Sequence, residues 1–164
     1  MSAPTRLAYT FDVARLLADL AVCDAHEWLT RSHLGWLCHV LRSSDGSVGN
    51  MEPSATARDA PLLGECPYFR EVLKELGQEF DVGAARVSSL VPGGEIQPHT
   101  DAHCVPWRIH IPITTNTQSV IQFNAIDYHW KPGEAWLADF GYPHAAWNRG
   151  KTRRVHLLVN VARL

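Results

Sequence analysis

The second half of the chain alternates apolar and polar residues with a period of two. From Ala84 onward the segments ARVSSLV, RIHIPIT, SVIQFN, EAWLAD and RVHLLVNVA are short and rich in β-branched or aromatic residues, which is typical of strands. Turn signals separate them at Pro92–Gly94, Thr114–Thr117, Lys131–Gly133 and Asn148–Thr152. Because no helix-length periodic stretch lies between these segments, an antiparallel sandwich or small barrel of the jelly-roll type is favoured over a parallel sheet.

The first half of the chain has a mixed character. Phe11–Val22 carries apolar residues at helical spacing and predicts an amphipathic helix. Pro67–Phe80 predicts a second helix, with its proline at the first-turn position. His33–Leu41 is apolar with some alternation and predicts an early strand, whereas Arg42–Glu65 is rich in Ser, Gly, Asp and Pro and predicts a loop.

Length and composition indicate one ordinary globular domain. The chain has 164 residues, 46% of them hydrophobic and 20% charged, which is enough to bury a core without staples. We therefore expect a single, mainly β domain over residues 1–164. In it, a helical and mixed support region, residues 1–83, precedes a β core, residues 84–164.

Charge and hydropathy exclude two classes of partner. The formal net charge is -2 and no basic run occurs, so we expect no nucleic-acid partner. No apolar run approaches the roughly 18 residues of a membrane span, and the N-terminus lacks a signal-peptide pattern. The four cysteines form no CxxC pair. We expect a cytoplasmic protein with free thiols at Cys23, Cys38, Cys66 and Cys104.

Alternation predicts which side chains share a face of the sheet. In RIHIPIT the three isoleucines share one face, and Arg108 and His110 share the other. In RVHLLVNV the apolar positions likewise oppose Arg154, His156 and Asn160. The polar face is either solvated or lines a polar cavity inside the barrel.

A metal site is indicated by His99 and Asp101, which form an His-x-Asp motif, together with His144 in a predicted loop. Two imidazoles and one carboxylate can occupy one face of an octahedral ion and leave three positions open, which suits Fe(II) oxygenases. Two open positions can take 2-oxoglutarate and the third can take O₂. The motif alone fits surface polar residues beside a turn equally well.

An arginine supports the oxygenase hypothesis over that alternative. Arg154 lies ten residues after His144, and its planar fork of donors suits the distal carboxylate of 2-oxoglutarate. Its neighbour Arg153 must face the opposite side of the strand. One arginine of this pair therefore points inward, and we expect it to be Arg154.

At these residues the sequence resembles the aspartyl/asparaginyl β-hydroxylase family of Fe(II)- and 2-oxoglutarate-dependent oxygenases. The matching pieces run from about Arg86 to Val161. They are Ser88, Val91-Pro92-Gly93, Pro98-His99-Thr100, Arg108-Ile109-His110, Gly133-Glu134, Trp136, Asp139, His144, Asn148 and Arg154-Val155-His156-Leu157.

The resemblance implies a fold and a set of roles. The fold is a double-stranded β-helix, a jelly roll of the cupin-like kind, with flanking N-terminal helices. Iron falls to His99 and His144, and the distal carboxylate of 2-oxoglutarate to Arg154 with help from Ser88. Arg108 and His110 would approach the other end of 2-oxoglutarate. Some family members have glycine where this chain has Asp101, which here completes a triad.

These observations predict a hydroxylase whose cofactor is Fe(II) and whose cosubstrates are 2-oxoglutarate and O₂. Its substrate is an amino acid, or an aspartyl, asparaginyl or prolyl residue of a peptide or protein. Two alternatives stay open: a non-catalytic cupin-like iron- or anion-binding sensor, and a zinc hydrolase with Glu95 or Asp139 as its base. Six polar or aromatic residues are candidates for the substrate pocket: Gln97, His103, Trp107, Gln122, Asn124 and His129. Neither the substrate nor the oligomeric state follows from the sequence.

Overall fold

The computed structural model describes residues 3–30, 32–101 and 107–163. Its helices are α1 (Val13–Asp24), α2 (Pro61–Glu65) and α3 (Pro67–Leu76). Its strands are β1 (Thr5–Thr10), β2 (Leu29–Thr30), β3 (Leu34–Ser43), β4 (Arg58–Asp59), β5 (Phe80–His99), β6 (Trp107–Thr114), β7 (Ser119–Phe123), β8 (Ile126–Tyr128), β9 (Glu134–Asp139), β10 (His144–Asn148) and β11 (Arg154–Arg163).

All the strands join one curled antiparallel sheet. The order along it is β1-β9-β6-β11-β5-β10-β7-β8, and β3 pairs with β5, β2 and β4 at its side. Strands that are distant in the chain are neighbours in the sheet, as in a jelly roll: β1 pairs with β9, and β5 pairs with β11. The mainly β fold and the double-stranded β-helix expected from the sequence are confirmed.

The two faces of the central strands are both buried, by different partners. The apolar face of β6 (Ile109, Ile111, Ile113) and of β11 packs in one hydrophobic core with α1 and α3. The opposite face points into the barrel, where Arg108, His110, Arg154, His156 and Asn160 are each at most 4% exposed. The polar face therefore lines the interior of the barrel, as one of the two predicted possibilities required.

The longest strand corrects a predicted break. We expected Pro92–Gly94 to separate two segments, but β5 continues through it for 20 residues. Gly93 has a φ of +78°, and the pairing of β5 with β3 shifts register between Leu34 and Trp36. A glycine at positive φ inside a strand is typical of a bulge, which re-aims the strand without ending it.

Several element boundaries also differ from the prediction. The first helix begins at Val13, because Asp12 caps it by accepting a hydrogen bond from Arg15 N. The second predicted helix corresponds to α3 and ends at Leu76, and Phe80 already starts β5. His144 begins β10 instead of lying in a loop. Strands β1, β2 and β8 were not predicted, and the expected loop at 42–65 contains β4 and α2.

Three cysteines, Cys23, Cys38 and Cys66, are buried and form no disulfide with one another, whereas Cys104 lies outside the described residues. Within the described ranges, none of the helices combines the length and the hydropathy that a membrane crossing requires.

The turn before β9 anchors the N-terminal segment. Gly133 has a φ of +80°, its carbonyl accepts from Phe11 N at 2.8 Å, and its N–H donates to Pro112 O at 2.9 Å. A Cβ at Gly133 would lie 2.5 Å from Phe11 O, which is closer than such atoms approach. Glycine is therefore required here both by backbone conformation and by space.

Replacing Gly133 with alanine should lower the free energy of unfolding by more than the roughly 1–3 kcal/mol that an unfavourable positive φ costs. The matched control is Gly93→Ala, since Gly93 has a similar φ but a Cβ there would meet nothing within 4 Å. Urea denaturation of both variants measures the difference. Equal losses would contradict the steric contribution at Gly133.

Candidate active site

A cavity of about 80 Å³ with both polar and apolar lining residues lies inside the barrel. Side chains from β3, β5, β6, β7, β10 and β11 surround it, together with three residues that adjoin strands, His33, Asp101 and Phe140. They are His33, Trp36, Arg86, Ser88, Ile96, His99, Asp101, Arg108, His110, Ile121, Phe140, His144, Ala145, Ala146, Arg154 and Leu158. All seven residues predicted for the metal and for 2-oxoglutarate are among them.

The predicted metal ligands meet at one end of this cavity. His99 ends β5 and His144 begins β10, and the two are direct partners in the antiparallel pairing. Asp101 follows His99 by two residues, with its Oδ1 3.4 Å from His99 Nε2 and its Oδ2 4.0 Å from His144 Nε2. The three potential ligand atoms all lie within 4.8 Å of one another. The strand pairing thus brings together side chains that are 45 positions apart in the sequence.

Both histidines are oriented by main-chain carbonyls. His99 Nδ1 lies 2.7 Å from Gln97 O, and His144 Nδ1 lies 2.9 Å from Tyr142 O. A neutral imidazole carries one N–H, so donation from Nδ1 leaves the lone pair on Nε2, the atom that faces Asp101. Carbonyl partners of this kind fix the tautomer and the ring angle of metal-binding histidines.

The charges of the triad also suit a metal. Burial lowers the pKa of His144 to about 4, so this ring is neutral at neutral pH. Burial alone would raise the pKa of Asp101, but His99, Arg108 and His144 together hold it below its usual value. A hydrogen bond from the protonated Nε2 to Asp101 raises the pKa of His99, and a bound metal ion would take the place of that proton. Two imidazole nitrogens and one ionised carboxylate fit a divalent transition ion with open positions.

Arg108 contacts a predicted ligand. Its guanidinium donates to Asp101 Oδ2 at 2.8 Å and lies over the Phe140 ring at 4.4 Å. This contact adds to the predicted approach of Arg108 to 2-oxoglutarate. It orients the Asp101 carboxylate and leaves the other oxygen toward His99.

Arg154 is a buried cation that faces the cavity. It is 3% exposed, and burial lowers its pKa to about 10. Its guanidinium lies 3.1 Å from His156 Nδ1, and no carboxylate pairs with it in the parts of the chain that the structure describes. Arg153 faces the other way and binds Asp24 through two hydrogen bonds. The inward arginine is therefore the predicted one.

Ser88 and His110 lie beside Arg154 and Arg108 in the interior. Ser88 Oγ accepts from Trp36 Nε1 at 2.8 Å. His110 stacks on Phe140 at 4.8 Å and its Nδ1 lies 3.3 Å from His156 Nδ1. Burial drives the pKa of His110 far below its ordinary value, so this ring adds no charge.

Sequence reasoning missed part of the cavity wall. Arg86 precedes Ser88 by two residues and shares its face, a signal that alternation contains. Trp36 and His33 reach the cavity through the pairing of β3 with β5, which no local pattern encodes. Of the six pocket candidates, His103 lies outside the described residues. The other five are not among the residues that line the cavity: Gln97, Trp107, Gln122, Asn124 and His129.

Comparison with known proteins supports the family and the fold. The sequence model of the aspartyl/asparaginyl beta-hydroxylase family matches residues 19–164. The L-proline cis-4-hydroxylase of Rhizobium meliloti (strain 1021) is 29% identical over 163 residues, which cover 92% of this chain and 57% of that protein. The chain therefore spans little more than half the length of this relative.

Two crystal structures share the fold. An oxidoreductase of the 2-oxoglutarate-Fe(II) oxygenase family from Burkholderia pseudomallei superposes with a TM-score of 0.67 at 12% identity, covering 98% of this chain and 84% of that one. A Pseudomonas putida prolyl-4-hydroxylase superposes with a TM-score of 0.61 at 14% identity, covering 98% and 92%. With most of its length matched by the family model and its barrel shared with these structures, the chain belongs to the aspartyl/asparaginyl β-hydroxylase family.

Proposed function

We propose that this chain is a Fe(II)- and 2-oxoglutarate-dependent dioxygenase. It hydroxylates an amino acid, or an aspartyl, asparaginyl or prolyl residue of a peptide or protein, and releases succinate and CO₂. One observation carries the proposal: a triad oriented for a metal and a buried arginine without a carboxylate partner among the described residues face the same cavity. When bound, Fe(II) with 2-oxoglutarate activates O₂ and supplies the oxidant for a C–H bond.

The residues of this chain hold the cosubstrate in one orientation. His99, Asp101 and His144 would ligate the metal. Arg154 would bind the distal carboxylate of 2-oxoglutarate, because a carboxylate both neutralises a buried cation and fills its donor fork. Ser88 would add one hydrogen bond to that carboxylate, and Arg108 and His110 would approach the other end.

The charge of the cavity favours a substrate that carries a carboxylate. Three arginines, Arg86, Arg108 and Arg154, line it together with one carboxylate, Asp101. A divalent metal and the doubly charged 2-oxoglutarate offset each other, so a positive excess remains. Asp101 pairs with Arg108, and 2-oxoglutarate is assigned to Arg154, so Arg86 is the arginine to which no carboxylate has been assigned. One of its guanidinium nitrogens donates to Met51 O at 3.0 Å. We therefore infer that Arg86 binds the carboxylate of a free amino acid, in line with the proline substrate that names the Rhizobium relative.

The two alternative functions make different demands on the cavity. A zinc hydrolase needs a general base beside the metal. Glu95 and Asp139 are not among the lining residues, and Asp139 accepts instead from Gly141 N at 2.9 Å. A non-catalytic sensor would bind Fe(II) and 2-oxoglutarate without forming succinate, so a succinate assay separates it from the dioxygenase.

The first test concerns the metal. His99→Ala, His144→Ala and Asp101→Gly each remove a proposed ligand. Each should weaken Fe(II) binding by more than the about 10- to 100-fold that loss of an outer partner of a metal ligand causes. Anaerobic calorimetry with Fe(II) measures the affinity, and circular dichroism checks folding. His129→Ala, at an exposed histidine, is the control. Unchanged affinity in Asp101→Gly would show that two histidines suffice.

The second test concerns the cosubstrate. Arg154→Ala should raise the KM for 2-oxoglutarate by about 10- to 100-fold, the range expected for hydrogen bonds to a charged group. Arg153→Ala should leave this KM unchanged, because Arg153 faces Asp24 on the outside. A raised KM in Arg153→Ala with an unchanged KM in Arg154→Ala would contradict the assignment of Arg154 to 2-oxoglutarate.

The third test concerns the substrate. Amino acids, amino-acid amides and peptides are incubated with the enzyme, and mass spectrometry detects addition of one oxygen atom. Arg86→Met should raise the KM for the accepted amino acid by about 10- to 100-fold while the KM for 2-oxoglutarate stays constant. The amide of that amino acid should be a poor substrate for the parent enzyme. Its turnover should fall little further in Arg86→Met, because the amide has no carboxylate for Arg86 to bind. Equal turnover of acid and amide by the parent enzyme would contradict a carboxylate site at Arg86.

A further inference from the structure

A path of aromatic rings leads away from His144 toward the protein surface. The His144 ring lies 4.6 Å from Phe140 and 5.9 Å from Phe123, measured between ring centroids. Phe123 lies 6.1 Å from Trp130, which stacks on Trp136 at 5.4 Å with an interplanar angle of 11°. The two tryptophans thus connect a proposed metal ligand, through one phenylalanine, with the outside of the barrel.

The two ends of this path differ in exposure and in hydrogen bonding. Trp130 is 4% exposed, and its Nε1 has no acceptor among the described residues. Trp136 is half-buried, and its Nε1 donates to Glu134 Oε2 at 2.9 Å. Most buried indole N–H groups have a partner. Packing alone explains the rings, but it does not explain this asymmetry between two stacked tryptophans.

We propose that Trp130 and Trp136 form an electron path that returns the metal centre to Fe(II) when its oxidant forms with no substrate in the cavity. The proposal rests on the proposed dioxygenase function, which supplies the oxidant. The path would protect His99 and His144 from oxidation during such unproductive turnovers.

The electrons and atoms balance as follows. The proposed reaction would consume O₂ and 2-oxoglutarate, release succinate and CO₂, and leave an oxidant that needs two electrons and two protons to return to Fe(II) and water. Trp130 gives up one electron and regains one from Trp136, and the oxidised Trp136 is reduced by an ascorbate-type reductant in solution. A second electron follows the same route. Two protons from solvent accompany the two electrons, so the oxygen atom leaves as water and Fe(II) is restored.

The hydrogen bonds set the direction of this transfer. An indole that has lost an electron is a cation, and a nearby carboxylate stabilises it by Coulomb attraction. Glu134 provides that carboxylate for Trp136. A hydrogen bond from Lys131 N at 3.0 Å and an ion pair with Arg6 Nε at 3.3 Å favour its ionised form. Trp130 has no such neighbour in the described contacts of its Nε1. The positive charge therefore moves outward to Trp136, away from the metal ligands.

His110 and His156 also contact Trp130, and Tyr128 is the oxidisable ring beside the path that is not a histidine. It lies 6.4 Å from Trp130 and 6.2 Å from Phe123. No described hydrogen bond joins its hydroxyl to a carboxylate, so we expect it to carry less oxidation than Trp136.

The test uses the full chain with Fe(II), 2-oxoglutarate and O₂, without substrate and without ascorbate. Peptide mass spectrometry should find one added oxygen atom on Trp136 first, because no reductant restores its radical. Freeze-quenched samples should show a tryptophan radical by electron paramagnetic resonance. Ascorbate should abolish the added oxygen.

Trp136→Phe removes the outer donor and keeps an aromatic ring in place. In this variant oxidation should shift to Trp130 or to the metal-binding histidines, and the enzyme should form several-fold fewer succinate molecules before it is inactivated. Glu134→Gln keeps a hydrogen-bond acceptor but not its charge, and should shift oxidation in the same direction. Trp147→Phe is the control, because the described contact of Trp147 is with Arg149 and not with the path.

Succinate formation separates this proposal from the proposed function. If succinate forms while Trp130 and Trp136 stay unmodified and Trp136→Phe is inactivated no faster than Trp147→Phe, the electron path is wrong and the dioxygenase stands. Oxidation of Tyr128 alone would also overturn the path through Trp136. If no succinate forms under any condition, the dioxygenase function fails and this proposal fails with it.

Discussion

The pairing of β5 with three other strands is the constraint on which the site depends. β5 pairs with β3 and β11 along its first part and with β10 at its end, where His99 meets His144. This arrangement requires the strand to bend between the two parts without ending. The bulge at Gly93 provides that bend. Glycine is suited to this position because a residue with a Cβ rarely adopts the positive φ. The placement of the three proposed metal ligands therefore depends on a turn-like sequence that continues a strand.

Charge inside the barrel is the second constraint. Arg108 and Arg154 are both buried, and burying a charge without a partner is costly. Asp101 offsets Arg108, whereas Arg154 faces the cavity without a carboxylate among the described residues. An anion bound beside Arg154, as proposed for 2-oxoglutarate, would relieve this unfavourable burial. A binding residue held in this way contributes affinity for the anion, since the uncomplexed protein bears the cost of its burial.

Alternation along single strands predicted which side chains of the site point into the barrel. It placed Arg154 inside and Arg153 outside, and it grouped Arg108 with His110, because each strand has two faces and the apolar face identifies itself. What it could not predict depends on contacts between strands. Trp36 enters the cavity only because β3 pairs with β5, and the Arg108–Asp101 ion pair joins β6 to the end of β5. The five described pocket candidates that missed the cavity were chosen for their chemistry, without a strand pairing to place them.

The direct pairing of His99 with His144 has a mechanical consequence. The two residues belong to neighbouring strands at one end of the barrel, so a metal ion bound to both, and to Asp101, cross-links β5 and β10 there. With such a cross-link, separating the ends of these two strands requires breaking a metal–ligand bond as well as backbone hydrogen bonds. Because the unfolded chain does not hold these three ligands together, metal binding adds directly to the stability of the fold. The rigidity of the barrel end that carries the proposed metal site would thus depend on the supply of metal.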